Sequence, residues 1–303
     1  MSECKYPEIP HLAANPTLEN QYRMIPDIVY AHDDEAAQKL TLICPWSARA
    51  CLPEEVPSPQ TGKLPLLVFV QGSGWTQPDI DYELPQLSLY AHMGMVVATV
   101  SHRNRTEGYP FPAFLQDVKC AIRFLRKNAD LYGIDPERVA IWGTSSGGNT
   151  AQLIALTGDD PRYETKECAG FSDAVTACVS CFGPTDLPAL LADAGGEIAN
   201  SDILDTAFAS DPATRMQQMQ QMSPISQVNS AKSCPPILLL HGTADSVVNC
   251  SQTIRMYEAL VDAGIDVTAY LVDGADHEGN FWSAGVHEVI RDFLFRHLLL
   301  LKQ

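Results

Sequence analysis

An α/β fold with a mostly parallel central sheet flanked by helices is what this sequence predicts, and three observations predict it. Short continuous apolar runs of strand length recur at Leu66–Val70, Met95–Ser101, Arg138–Trp142, Val175–Phe182, Pro236–His241 and Val267–Val272. Strands covered on both faces read this way, because neither face meets water. Helical patterns lie between several of these runs, and glycine-rich or polar turns leave their carboxyl ends, as expected for βα units. A chain of 303 residues with 46% apolar composition can bury one large core. We therefore expect a single domain over 1–303, with 1–63 as an N-terminal extension with opening strands and 186–233 as a lid-like insertion.

Taken in order, Gln21–Tyr30 and Lys39–Cys44 read as an antiparallel opening pair, and Pro53–Pro65 as a proline-rich connector. Leu66–Val70 runs into the turn Gln71-Gly72-Ser73-Gly74-Trp75. Met95–Ser101 is the next strand, and Phe114–Leu131 is an amphipathic helix. Arg138–Trp142 leads through Gly143-Thr144-Ser145-Ser146-Gly147 into a helix of small residues over Gly148–Leu156. Val175–Phe182 holds Cys178 and Cys181 at C-x-x-C spacing, but a side-by-side redox pair needs a helix start there and the run is strand-like. Between 186 and 233 no strong strand appears, and Asp186 to Thr214 holds six acidic residues and no basic one. Met216, Met219 and Met222 among glutamines suit a mobile helix; the bland alternative to a lid is an ordinary surface excursion. Pro236–His241 is a buried strand, with His241 read as a packing residue at its end. Ser251–Ala263 is a helix with Ile254, Tyr257, Leu260 and Val261 on one face, and Val267–Val272 precedes the loop Asp273–Gly279. Phe293–Leu301 is too short, and too broken by Arg296 and His297, for a membrane span, so a terminal core helix is expected.

A formal net charge of −17 disfavours nucleic acid and acidic membrane surfaces as partners, since both need cationic neutralisation. It suits a neutral or cationic small molecule, although most of the charge is accounted for by a solvated surface. Nine cysteines at irregular spacing argue for reduced thiols, and Met1–Pro7 lacks the apolar core of a signal peptide. A cytoplasmic location is the expectation.

Gly143-Thr144-Ser145-Ser146-Gly147 is the most informative stretch, because a strand, a G-x-S-x-G turn and a helix together make a nucleophile elbow. A serine hydroxyl is a poor nucleophile at neutral pH, so it needs a base and a group to orient that base. Asp245 lies just past the strand ending at His241, where open α/β sheets place active sites. His277 lies in the loop after Val267–Val272. The order Ser145, Asp245, His277 is the order of α/β-hydrolases rather than of chymotrypsin or subtilisin. The Gln71–Trp75 turn stands where lipases and esterases carry an HGGG-type loop, with Gln71 in place of His and Ser73 in place of Gly. Backbone N–H groups of Ser73, Gly74 and Ser146 are the expected oxyanion donors. The plain alternative is a glycine-rich turn.

On these motifs the chain resembles the α/β-hydrolase superfamily, in the esterase branch related to hormone-sensitive lipase. It resembles more closely the small bacterial carbohydrate esterases of the acetyl xylan and feruloyl type. Phe111-Pro112-Ala113, Asp117-Val118-Lys119, Ala121–Arg126, Gly133–Val139 and His241–Asp245 carry the resemblance with the elbow and the His277 loop, from about Leu64 onward. It implies a serine esterase acting on short acyl esters, with an acylated carbohydrate as the small-molecule partner and no metal or organic cofactor. Trp75 and Trp282 are candidate walls of the substrate pocket, with core packing the alternative for each. An oligomer is compatible with this reading. Amide-cleaving formamidase-type or prolyl-oligopeptidase-type hydrolases, a general short-chain esterase, and a non-catalytic receptor on the same fold are the competing readings.

Overall fold

The computed structural model describes residues 10, 12–32, 37–52, 62–193, 203–230 and 233–299. Outside them lie the Met1–Pro7 stretch, 53–61 of the proline-rich connector, 194–202 and 231–232 of the insertion, and residues 300–303, which include the end of the run expected to form a terminal helix.

Eight strands form one sheet: β1 (Tyr22–His32), β2 (Ala37–Pro45), β3 (Leu64–Val70), β4 (Val96–Val100), β5 (Ile134–Thr144), β6 (Ala177–Cys181), β7 (Ile237–Gly242) and β8 (Val267–Val272). Their spatial order is β1-β2-β4-β3-β5-β6-β7-β8. β2 is antiparallel to both β1 and β4, and every other pairing is parallel. β6 and β7 are buried along their whole length, while the edge strand β8 exposes residues at several positions, as position in the sheet dictates.

The helices are α1 (Leu84–His92), α2 (Ala113–Lys127), α3 (Ala129–Tyr132), α4 (Ser146–Leu156), α5 (Leu187–Asp193), α6 (Ile203–Ala207), α7 (Pro212–Met222), α8 (Ser251–Asp262) and α9 (Ala284–Leu294). Leu115, Val118 and Ile122 of α2, Leu153 and Ile154 of α4, and Met256 and Leu260 of α8 join one core cluster. Leu87 and Tyr90 of α1, with Val286, Ile290 and Phe293 of α9, join the other. The single helix expected over Phe114–Leu131 is interrupted at Asn128, whose side-chain amide donates back to the Phe124 carbonyl.

Two packing expectations need correction. Ile254 and Tyr257 are each 40% exposed and Val261 is 50% exposed, so only Leu260 of the expected stripe faces the core. Polar anchors set the rotation of α8: Gln252 accepts from the Thr185 and Asp186 amides, and Thr253 bonds the His241 ring. These bonds turn Thr253, Met256 and Leu260 inward. Cys178 and Cys181 lie on opposite faces of β6, in different core clusters, because three positions along a strand change face. Burial pushes both thiols up. Among the described residues, no helix is long and apolar enough to cross a membrane.

Candidate active site

Strand β5 delivers Ser145 at its carboxyl end, and α4 starts one residue later. Ser145 has φ 51° and ψ −122°, a region where a non-glycine residue costs about 1–3 kcal/mol. The surroundings impose it. A Cβ on Gly147 would stand 2.0 Å from the Val70 carbonyl oxygen, and one on Gly143 would stand 2.0 Å from that of Gly147. Strand and helix can approach this closely only with glycine at both places. The Ser145 amide donates to the Cys181 carbonyl at 3.0 Å, pinning the turn to β6.

The parallel register brings the ends of β5, β7 and β8 to one edge of the sheet. There the three predicted residues meet. His277 Nε2 lies 3.0 Å from Ser145 Oγ, and its Nδ1 lies 2.8 Å from Asp245 Oδ2. The loops bearing Asp245 and His277 are clipped together. The Ala244 amide donates to the Ala275 carbonyl, and the Ser246 amide and hydroxyl donate to Asp276 Oδ1. The Asp276 oxygen also accepts the His277 amide. Asp276, nearer to His277 in sequence, is thus an exposed loop tie that faces the histidine's backbone and not its ring. Beneath the His277 ring lies Phe182, with centroids 4.6 Å apart.

Asp245 is fully buried in its side chain. Burial alone would push the carboxyl up. Hydrogen bonds from His241 and His277, the charge interaction with His277 and the Val248 amide outweigh burial and hold it well below the usual carboxylate range. His241 is a residue the sequence reading assigned only to packing. It is buried at the end of β7 as expected, yet its Nε2 also lies 3.2 Å from Asp245 Oδ2. The signal was the i, i+4 spacing of His241 and Asp245 across a tight loop.

Ser145, Gly74, Trp75 and Ser146 border a cavity of about 90 Å³, closed by side chains that include Leu187, Leu190, Ile203 and Phe208. The described part of the insertion presents apolar side chains to the site. Leu187, Leu190 and Leu191 are spaced i, i+3, i+4 and so share the inner face of α5, whereas the Asp205 side chain is 81% exposed. The scattered apolar residues converge on the cavity, and Asp205 and Asp211 face water.

The predicted oxyanion donors are placed unequally. The Ser73 amide is engaged, donating to Ser146 Oγ at 2.8 Å. That leaves Gly74 and Ser146 on the cavity, and the amide of Ser146, in the first turn of a helix, has no intrahelical acceptor. Gly74 and Trp75 both have φ 59°, and Arg105 holds this bend by donating from Nε to the Gly74 carbonyl at 2.7 Å. Trp75 lines the cavity while packing near Phe114. Trp282 does not line it. Its Nε1 donates to Glu278 and its ring stacks on His287, so it supports the His277 loop from the core side.

Glu83 is pushed up from 4.5 to about 7, by burial and then by the charge of Glu278. A carboxyl raised in the folded state holds its proton where the unfolded chain has lost it, so stability falls as pH rises through that window. Asp245 acts oppositely, its contribution being lost only as pH falls below the ordinary carboxylate range. Glu83→Gln is therefore expected to raise the Tm at pH 8 more than at pH 5, measured by calorimetry. An equal change at both pH values would refute it.

The BD-FAE family profile matches residues 55–260. Esterase LipC of Mycobacterium tuberculosis is 29% identical over 220 residues, covering 72% of this chain and 53% of LipC. The chain thus spans about half the length of the curated relatives it matches. Among solved structures, a bifunctional GH43-CE protein of Bacteroides eggerthii is 27% identical at a TM-score of 0.74, covering 90% of this chain and 38% of that one. A truncated carbohydrate esterase from gut microbiota superposes at a TM-score of 0.69 with 24% identity, covering 92% and 98%.

Proposed function

This chain belongs to the BD-FAE family of α/β-hydrolase esterases, and from that premise we propose that it is a serine carboxylic-ester hydrolase working through an acyl-enzyme. The hydrogen-bonded series Asp245–His277–Ser145, whose serine borders the cavity, carries the reading. Ser145 Oγ attacks the ester carbonyl as His277 Nε2 takes its proton, and Asp245 holds Nδ1–H so that Nε2 can accept. The N–H groups of Gly74 and Ser146 stabilise the oxyanion, each worth about 3 kcal/mol in comparable sites. His277 then protonates the leaving alcohol, and water repeats the sequence on the acyl-enzyme. The Ser73 amide, held by Ser146 Oγ, shapes the loop in this reading and is not a direct donor.

The acyl group occupies the cavity. Its apolar wall and volume of about 90 Å³ support a short aliphatic acyl chain. A carbohydrate alcohol is supported by the likeness to the GH43-CE protein and by a chain charge that suits neutral substrates. Both halves are tested by kcat/KM across acetyl, butyryl, octanoyl and palmitoyl esters of 4-nitrophenol, then across acetylated and feruloylated sugars and an arylamide. Acetyl and butyryl esters are expected to exceed octanoyl by at least about tenfold, since each methylene that cannot be seated costs transition-state binding of about 1 kcal/mol or more. A preference for octanoyl or longer chains refutes the short-acyl reading. Acetylated sugars turned over more slowly than 4-nitrophenyl acetate at equal acyl reactivity refute the carbohydrate reading. Faster cleavage of the arylamide would favour an amidase.

A further inference from the structure

We propose that His241 is a positioning residue for Asp245: a second imidazole shares the carboxylate oxygen that orients His277. The proposal rests on the triad reading given above. His241 Nε2 lies 2.7 Å from the Val248 carbonyl oxygen and 3.2 Å from Asp245 Oδ2, and its Nδ1 lies 2.7 Å from Thr253 Oγ1. A carbonyl and a carboxylate can only accept, so Nε2 carries a hydrogen shared between them. In the proposed arrangement the Thr253 hydroxyl donates to Nδ1. The side chains of His241 and Asp245 are both fully buried, so water does not compete for these contacts.

Every side of Asp245 is thereby occupied. Oδ1 accepts the amides of Val247 and Val248, while Oδ2 receives His277 Nδ1 and the His241 N–H. Two consequences follow. The carboxylate cannot rotate away from His277, and the His241 N–H draws part of the negative charge that would otherwise stabilise the His277 imidazolium. The pH profile of turnover therefore reports on the His241 contact with the shared oxygen.

Other groups facing this cluster are neutral or constant. Thr253 approaches from α8, and Phe182, just past β6, packs on the His277 ring. The Asp276 and Glu278 carboxylates flank His277 in its own loop and act equally on wild type and variants.

The test compares wild type, His241→Met, which fills the volume without a donor, and His241→Gln, which retains an N–H. With a short-chain ester, the acid limb of kcat/KM is expected to move upward by about half a pH unit or more in His241→Met. Its kcat should fall at least about tenfold with little change in KM, and Gln should recover part of both. A folded Met variant with the wild-type limb and kcat overturns the proposal, as does a Gln variant as impaired as Met, since packing alone would then suffice. If Met does not fold, the Gln profile decides together with ¹⁵N NMR of the histidines in Ser145→Ala at pH 7.5. Nε2 of His241 should carry the proton and its signal should move on adding Asp245→Asn; a proton on Nδ1 overturns the proposal. Absence of ester turnover by wild type would instead refute the triad, and the NMR result would still report on His241.

Discussion

Ser145→Ala is expected to lower kcat for a short-chain ester by about 10⁶-fold, the loss seen when the nucleophile is removed from comparable triads. The fold should be untouched. Alanine keeps the Cβ of serine, so it meets the same φ of 51° that the close approach of Gly143 and Gly147 imposes. Among the described residues the deleted Oγ is hydrogen-bonded to His277 Nε2 and to no backbone group. Circular dichroism and the melting temperature should match wild type within about 2 °C, consistent with a change of a few tenths of a kcal/mol. Ser146→Ala should differ in kind. It removes the acceptor of the Ser73 amide but keeps the Ser146 N–H, so activity should fall far less. An inactive Ser146→Ala beside an active Ser145→Ala would mean that the elbow register is wrong.

The parallel core of the sheet was legible because each central strand is buried on both faces and so appears as an unbroken apolar run, as in Leu66–Val70 and Pro236–His241. Ser145, Asp245 and His277 were legible for a related reason. Each lies in the turn or loop that follows a strand, and a parallel sheet collects strand ends at one edge. What stayed hidden depends on side-chain direction. No local pattern tells that Ser146 Oγ turns toward the Ser73 amide, which removes one of three expected oxyanion donors. The stripe Ile254, Tyr257 and Val261 is a sound amphipathic pattern, yet hydrogen bonds accepted by Gln252 and made by Thr253 set the rotation of α8 and leave it half exposed. The acidic count between Asp186 and Thr214 likewise says nothing of direction: Leu187, Leu190 and Leu191 of α5 line the cavity while Asp205 of α6 faces water. Trp282 follows the histidine closely in the chain, but the bend at Glu278, with φ 63°, precedes a turn that sends its ring into the core.

Asp245→Asn should reduce kcat by about 10⁴-fold, the size of the effect in the serine-protease precedent, and the hydrogen bonds around the carboxylate say why. Oδ1 accepts two backbone amides, from Val247 at 2.9 Å and Val248 at 2.8 Å. An asparagine must place its oxygen there, since the opposite orientation would aim an NH₂ group at two N–H donors. Its NH₂ then takes the place of Oδ2 and faces His277 Nδ1 and His241 Nε2. Facing a donor, His277 is driven to the tautomer with Nδ1 bare and Nε2 protonated, and a protonated Nε2 cannot accept the Ser145 proton. The change therefore falls on kcat, with KM nearly unaffected, and a pH above the acid limb should not restore it because the fault is tautomeric and not one of charge. Asp276→Asn is the matched control. Among the described residues, Oδ1 of Asp276 accepts from the Ser246 amide, the Ser246 hydroxyl and the His277 amide, and Oδ2 accepts from none. An asparagine oxygen can accept all three, so turnover should stay within a few-fold of wild type. Near-normal kcat for Asp245→Asn with an inactive Asp276→Asn would transfer the role of the acid from the strand-end residue to the neighbour of the histidine, and would remove the basis on which His277 is oriented toward Ser145.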